Sequence, residues 1–426
     1  MSNYASQHEY IEALKSVSAL PEGFQVSTHQ IEFSPTEKPA SAPYRMNLCL
    51  ILLDRETASF GAVFTNNAFP GAPIVIGMKR LERRTVGGIL INNRIANVSA
   101  PGGVEDAEGI LECLAQHTNR SPDSYFIAST GIIGWKLPVD QIGPALPGLV
   151  ASLGRDSLLP AAEAIMTTDA YPKVRAAKLG SGRIVGIAKG AGMIEPNMGT
   201  LLVFLLTDVS VPREALREQL AACVDKSFNR ISIDSDQSTS DMVILASSHA
   251  REAVSAQDFG QALQRVCLQL AEDVVRNGEG VEHVVRVCVQ GCSDEELALG
   301  AAKAIVNSPL VKTAVFGNDP NVGRILSALG DYLGTRGVGV QAKKLRMTMG
   351  GIEVFCGGSF RLSAAKEEKL CQYLQECSLD ANLKQYPQHE RAIQISVDLG
   401  QGKAAAAAIG ADLSHAYVTE NAEYRT

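Results

Sequence analysis

The sequence predicts an α/β protein, and three observations support this fold class. Residues 201–206 (LLVFLL) form an apolar run bounded by Thr207 and Asp208, which has the length of a strand buried on both faces. Residues 212–228 and 255–274 place apolar side chains at helical spacing, which is typical of amphipathic helices packed on a core. At 426 residues the chain has room for two or three packed units.

Composition and charge narrow the class of protein. The chain is 46% hydrophobic and 20% charged, which is ordinary for a soluble globular protein. A net charge of −7 and a pI of about 5.6 argue against a nucleic-acid partner. No apolar run approaches the roughly 18 residues of a membrane span, and the first residues lack the features of a signal peptide. Nine cysteines without metal-like pairs fit reduced thiols, so we expect a cytoplasmic protein.

The pattern along the first half of the chain alternates between strands and helices. We expect strands at residues 46–53, 58–65, 74–76 and 88–93, and a helix at 104–117. The strand that begins at Tyr125 runs into a tight turn before Gly134. A further strand, residues 183–188, delivers Lys189 to a glycine-rich loop.

The second half repeats this alternation. Pro212 opens one helix, and Ser255 with Asp258 reads as the capping box of the next. The alternation of valines from Val284 predicts a strand that starts a smaller α/β lobe, followed by a helix capped by Ser293. The rest, to about residue 410, is expected to be rich in strands.

Thr200 is the candidate nucleophile. It stands at the end of a glycine-broken loop and at the start of the buried strand. A threonine hydroxyl is a poor nucleophile unless a base lies beside it, and scission of the Gly199–Thr200 bond would supply one as a free α-amine. That amine titrates at about pH 8, against about 10.4 for a lysine. Gly199 suits the scission because a residue without Cβ tolerates a strained backbone. The alternative is a plain turn that leads into a core strand.

Thr130 and Gly131 are candidates for an oxyanion hole. They follow a strand, and a Thr-Gly pair presents a hydroxyl and a backbone N–H side by side. The alternative is a strand end with ordinary turn residues. Cys288 and Cys292 could bind a metal, but free thiols are favoured there. The acidic loop 234–241 could also bind a metal, but its side chains are expected instead to form hydrogen bonds with the backbone of the loop itself. We therefore expect no metal.

Several separated motifs resemble one family. They are KGAGMIEPNMGT (189–200), STGIIG (129–134), MTTD (166–169), GEG (278–280), the segment SPLVKTA (308–314) and the C-terminal stretch 417–426. Together they resemble the ornithine acetyltransferase, or glutamate N-acetyltransferase, family over nearly the whole chain. The resemblance implies a four-layer α/β/β/α sandwich with a smaller C-terminal α/β lobe. It also implies self-cleavage between Gly199 and Thr200.

The resemblance also assigns roles to individual residues. It makes Thr200 the nucleophile, with Thr130 and Gly131 as the oxyanion hole. The substrate-binding residues that it implies are Thr167, Lys189, Thr200, Glu279, Asn421 and Thr426. The expected domains are a main sandwich over residues 1–283, a lobe over 284–410 and a tail over 411–426 that returns to the active site. Cleavage would give an α fragment, 1–199, and a β fragment, 200–426, and the family precedent is a heterotetramer with two copies of each.

The implied reaction moves an acetyl group from N2-acetylornithine to glutamate by a ping-pong mechanism through acetyl-Thr200, as part of arginine biosynthesis. No cofactor is expected, and acetyl-CoA would serve as a donor only in a bifunctional enzyme. Departures from the family pattern at Arg94 and Ile95, at residues 281–283 and at Val322 indicate a divergent member. The alternatives are an acyltransferase for another amino acid, an N-terminal-nucleophile amidase or aminopeptidase, and a relative that never cleaves and acts only by association.

Overall fold

The structure is a computed structural model that describes residues 4–38, 42–195 and 201–423. The described strands are β1 (Phe24–Phe33), β2 (Tyr44–Thr57), β3 (Phe60–Phe64), β4 (Val86–Asn92), β5 (Tyr125–Ser129), β6 (Lys173–Leu179), β7 (Gly182–Lys189), β8 (Leu202–Val209), β9 (Ile231–Ser232), β10 (Met242–Arg251), β11 (Val284–Cys292), β12 (Arg346–Met349), β13 (Ile352–Cys356), β14 (Ser359–Phe360), β15 (Ile393–Asp398) and β16 (Ala404–Ala411). The described α-helices are α1 (Gln7–Val17), α2 (Ala72–Leu81), α3 (Gly103–Thr118), α4 (Val139–Ala151), α5 (Leu159–Ala164), α6 (Arg213–Asp225), α7 (Ala256–Arg276), α8 (Glu295–Asn307), α9 (Pro309–Phe316), α10 (Val322–Thr335), α11 (Ala364–Cys377) and α12 (His415–Ala422).

The chain divides into two compact units. The first consists of the described residues within His8–Asn229 and Asp236–Val274. The second consists of the described residues before His8, those of Arg230–Ser235 and those from Val275 onward. The domain boundaries expected from the sequence stay a prediction.

The first unit is a four-layer α/β/β/α sandwich. One sheet has the order β1-β2-β4-β5 and the other the order β3-β10-β8-β7-β6. The two sheets face each other, since Phe126 of the first contacts Phe60 and Phe64 of the second. Helices α3 and α4 share one core with the outer face of the first sheet, and α6 and α7 pack on the second beside Gly61 and Gly186. The fold class predicted from the sequence is confirmed.

The central strand and its covering helices form where the apolar patterns place them. Every residue of β8 is buried, as expected for a strand covered on both faces. The predicted core face of α6 is buried, and so is that of α7. Helix α7 begins with the expected capping contacts, in which Ser255 Oγ accepts the Asp258 N–H and donates to its carboxylate.

The second unit is built around a mixed seven-stranded sheet with the order β14-β13-β12-β15-β11-β16-β9. Strand β11 pairs parallel with β15 and antiparallel with β16. One apolar core contains side chains from this sheet and from α8, α9, α10 and α11. The alternating valines Val285, Val287 and Val289 face that core, as predicted.

Two local predictions are wrong. Residues 74–76 lie in helix α2 instead of a strand, because Pro73 favours the first turn of a helix and the buried residues Ala72, Ile76 and Arg80 recur at helical spacing. The cap of α8 is Asp294, whose side chain accepts the Leu297 N–H, and Ser293 donates its hydroxyl to that same carboxylate.

Candidate active site

Three strand ends of the second sheet meet at one edge. Strand β7 ends at Lys189, which lies opposite Leu202 at the start of β8, and Met242 of β10 lies opposite the same leucine. Since β8 and β10 run parallel and β7 runs antiparallel to them, all three meet on one side of the sheet. The predicted cleavage pair, Gly199 and Thr200, lies outside the described residues, and the chain is described again from Leu201.

Asp241 fixes the residue that follows Thr200 in the chain. The side chain of Asp241 is fully buried, and its Oδ1 accepts the Leu201 N–H at 2.6 Å. The Leu201 carbonyl in turn accepts the Met242 N–H at 3.0 Å. The other carboxyl oxygen, Oδ2, has no hydrogen-bond partner among the described residues. Burial raises the pKa of Asp241 well above its usual range, against the opposing effects of the Leu201 N–H and the Lys189 charge.

The predicted oxyanion residues follow β5 in the first sheet. The Thr130 N–H donates to the Asn92 carbonyl at 3.1 Å, and the Ser129 hydroxyl donates to Asn92 Oδ1 at 2.6 Å. These bonds join the ends of the parallel strands β4 and β5. The Thr130 hydroxyl is buried and has no partner among the described residues. A buried hydroxyl with an unused hydrogen bond is the property that an oxyanion donor needs.

Gly131 is held against the loop that follows β4. Its φ is +127°, in the region that L side chains rarely adopt. A Cβ at this position would lie 2.2 Å from the Arg94 carbonyl carbon. The adjacent Ile132 N–H donates to the Arg94 carbonyl at 2.9 Å. The turn therefore requires glycine, and it joins the predicted oxyanion residues to the loop that contains Arg94.

Thr167 and Lys189 are connected through Asp169. The Thr167 N–H donates to Asp169 Oδ2 at 3.1 Å, and the Gly190 N–H donates to Oδ1 at 2.9 Å. Lys173 forms an ion pair with the same carboxylate, and both side chains are fully buried. Burial alone would raise the pKa of Asp169, but the charges of Lys173 and Lys189, the hydrogen bond from Lys173 and the Gly190 N–H lower it to about 2.

Two other predicted residues meet in the second unit. Asn421 on α12 donates its Nδ2 to Glu279 Oε2 at 2.8 Å, and Glu279 is buried in the turn after α7. The Ser414 hydroxyl donates to the Gly280 carbonyl at 2.6 Å, which ties this turn to the start of α12. The remaining predicted residue, Thr426, lies outside the described residues.

Sequence reasoning missed several residues of the first unit. Asn92, Asn93 and Lys173 were not singled out, and Asp169 entered only as the last residue of a motif. Asp241 is considered only as part of the acidic loop 234–241, where bonds to backbone are favoured over a metal site, and its carboxylate accepts the Leu201 N–H. For Asn92, Asn93 and Asp241 the available signal was position, since each lies beside the end of an apolar run; Asp169 and Lys173 had no such signal.

Within residues 4–38, 42–195 and 201–423, no helix is long and apolar enough to cross a membrane.

Comparison with known proteins identifies the family. Residues 37–426 match the model of the ArgJ family. A relative from Wolinella succinogenes, named arginine biosynthesis bifunctional protein ArgJ, is 40% identical over 87% of this chain and 89% of its own length. A relative of the same name from Geobacter sulfurreducens is 37% identical over 92% of this chain and 98% of its own. A solved Bacillus halodurans structure, described as arginine biosynthesis bifunctional protein argJ, is 33% identical over 51% of this chain and 97% of that chain, with a TM-score of 0.45. The match to the family model and to these relatives confirms the family inferred from the motifs: the chain belongs to the ArgJ family.

Proposed function

We propose that the protein is a self-cleaving acyltransferase of arginine biosynthesis that moves the acetyl group of N2-acetylornithine to glutamate. The observation that carries the proposal is the sheet edge at which Lys189, the first residue of the cleavage motif, and Leu201, the residue directly after it, come together with Asp241. Family membership supports the reaction class, because the relatives are named for arginine biosynthesis.

The first half of the reaction forms an ester. Thr200 Oγ adds to the acetyl carbonyl carbon of N2-acetylornithine while the α-amine of Thr200 takes the hydroxyl proton. The Thr130 hydroxyl and the Gly131 N–H stabilise the negative oxygen of the tetrahedral intermediate, an effect worth about 3–4 kcal/mol for one donor. The intermediate collapses when the C–N bond breaks and the proton passes to the ornithine nitrogen, which leaves acetyl-Thr200.

The second half returns the nucleophile. The α-amine of glutamate attacks the ester carbonyl, the C–O bond to Thr200 breaks, and the threonine hydroxyl regains a proton. The product is N-acetylglutamate. The groups proposed to hold the charged ends of the amino acids are Thr167, Lys189, Glu279, Asn421 and Thr426.

The same chemistry accommodates acetyl-CoA as a second donor. The curated relatives carry the word bifunctional in their names, and this observation favours a second donor. The acyl-enzyme is common to both donors, so no resident cofactor is required. We further propose that the fragments 1–199 and 200–426 assemble as a heterotetramer with two copies of each.

Intact mass spectrometry tests the proposal. We expect two fragments, starting at Met1 and Thr200, and a gain of one acetyl group on the fragment 200–426 after addition of N2-acetylornithine. Thr200→Ala should remain full length and inactive, whereas Thr335→Ala, which removes an exposed hydroxyl from α10, should cleave normally. An uncleaved wild-type chain, or a Thr200→Ala variant with full turnover, would refute the proposal.

Partition of the acetyl group separates the alternatives. With glutamate in the assay, a transferase forms N-acetylglutamate, whereas an amidase releases free acetate. An enzyme specialised for another amino acid would reveal itself in the same assay with the common amino acids offered in turn as acceptors.

A further inference from the structure

One short segment connects the active-site ends of the two sheets in the first unit. Asn93, directly after β4, donates its Nδ2 to the carbonyls of Ala164 at 3.2 Å and Met166 at 2.9 Å. Asp169 binds the Thr167 N–H from the other end of the segment and the Gly190 N–H directly after β7. The residues 164–169 are thus held by an amide at the first sheet and by a carboxylate at the second.

The Asp169 carboxylate forms all of its contacts within the protein interior. Both of its oxygens accept hydrogen bonds, and its side chain has no exposed surface. A buried carboxylate must be neutralised, and Lys173 does this with a side chain that is equally buried. Asp169 therefore has no surface with which to contact a substrate, and it acts through the two backbone groups that it holds.

We propose that Asp169 is a positioning residue that sets the placement of Thr167 relative to the turn at Lys189 and Gly190, and thereby shapes the pocket for the amino-acid end of the substrate. This inference rests on the proposed function, which assigns Thr167 and Lys189 to substrate binding. The Thr167 hydroxyl is buried and has no partner among the described residues, so a polar group of the ligand can engage it.

Paired variants separate positioning from simple stabilisation. Lys173→Met removes the ion pair but keeps both N–H bonds to Asp169. Asp169→Asn combined with Lys173→Met also lacks the ion pair, and in addition it replaces one acceptor oxygen by an NH2 group. We expect the double variant to raise KM for N2-acetylornithine about tenfold relative to Lys173→Met, the usual factor for loss of a hydrogen bond to a charged group. Its kcat should change much less, and its self-cleavage should remain complete.

Equal KM values in the two variants would overturn the inference. If either variant does not fold, Asp169→Glu is compared with the wild type instead, because it keeps the charge opposite Lys173 but moves both oxygens. An unchanged KM in Asp169→Glu would likewise overturn the inference.

Hydrogen exchange on the wild type tests the geometry without any variant. The amides of Thr167 and Gly190 should exchange slowly, and rapid exchange at either would contradict the inference. A wild-type protein that transfers no acetyl group would refute the proposed function instead, and slow exchange at both amides would still support the positioning role.

Discussion

Two buried carboxyl groups of the candidate site titrate in opposite directions, for reasons found in their neighbours. Burial raises the pKa of both. At Asp169 the charges of Lys173 and Lys189 outweigh burial, and the pKa falls to about 2. At Asp241 burial outweighs the opposing effects of the Leu201 N–H and the Lys189 charge, and the pKa rises well above its usual range. Carboxyl groups whose pKa values are shifted in opposite directions are typical of sites that use proton transfer.

The raised pKa of Asp241 makes stability depend on pH. Between the unfolded value of 3.8 and the higher folded value, the folded protein holds a proton that the unfolded chain has released. The stability that the protonated Asp241 contributes to the folded state is therefore fully present below about pH 4, and it is lost as the pH rises through the pKa of the folded protein. Asp241→Asn keeps an acceptor for the Leu201 N–H but cannot titrate. We expect the wild type, compared with Asp241→Asn, to lose up to about 1.4 kcal/mol of unfolding free energy per pH unit across that window.

Urea denaturation at a series of pH values measures this difference. Asp331→Asn, an exposed change on α10, is the control for loss of a surface carboxylate. Parallel stability curves for the wild type and Asp241→Asn would contradict a buried, protonated Asp241.

At the scale of elements, the site is made where strands end. Strands β4 and β5 run parallel, so the loops that follow them meet, and there Gly131 packs on the backbone of Arg94. Arg94 itself has a φ of 72°, a conformation that is uncommon for a residue with a side chain. Close packing of two backbones at the first sheet thus sets the position of the Thr130 hydroxyl.

Gly131→Ala tests this contact. The new Cβ would meet the Arg94 backbone at 2.2 Å and would also require an unfavourable φ, so we expect a loss of about 3 kcal/mol of stability. Gly134→Ala is the matched control, since its φ is +86° but nothing lies within 4 Å of the added Cβ; about 1 kcal/mol is expected there. The comparison is made by thermal unfolding, and equal midpoints for the two variants would show that the contact is unimportant.

Helix α2 shows where local patterns mislead. Residues 74–76 are three consecutive apolar residues, which by themselves do not separate a strand from a buried helix. The spacing of Ala72, Ile76 and Arg80 contains the helical signal, and one of these residues is charged. Arg80 is buried because its guanidinium forms ion pairs with Glu108 and Asp123 and donates to the Tyr125 carbonyl. A pattern based on hydrophobicity does not register such a residue.

At the scale of the whole molecule, the proposed cut divides the chain but not the second sheet of the first unit. Strands β3, β7 and β6 precede residue 199, whereas β10 and β8 follow it, and the sheet order interleaves them as β3-β10-β8-β7-β6. Two ladders, β3 with β10 and β8 with β7, join the two fragments. Both lie in a buried core, so the fragments are held by backbone hydrogen bonds and apolar contacts that do not need the peptide bond.

We therefore expect the cleaved fragments to remain together. They should elute as one species from a sizing column in native buffer and as two in concentrated urea. The Thr200→Ala protein, which should stay uncut, provides the reference elution volume. Separation of the fragments in native buffer would be incompatible with the interleaved sheet.

The sequence by itself determined the family, the α/β class, the buried strand after the glycine-rich loop and the short list of candidate residues around Thr200, Thr130 and Lys189. These are local properties, since apolar periodicity and long motifs survive in the order of residues along the chain. Only the tertiary structure decided that Asn93 and Asp169 hold the ends of one segment, that Asp241 bonds Leu201, and that Arg94 packs on Gly131. Apart from the local bond of Asp169 to the Thr167 N–H, each of these contacts joins residues that are brought together by strand pairing or by facing sheets, and Asp241 lies 40 positions after Leu201. Such pairings depend on the packing of the sheets and have no signature in the local sequence.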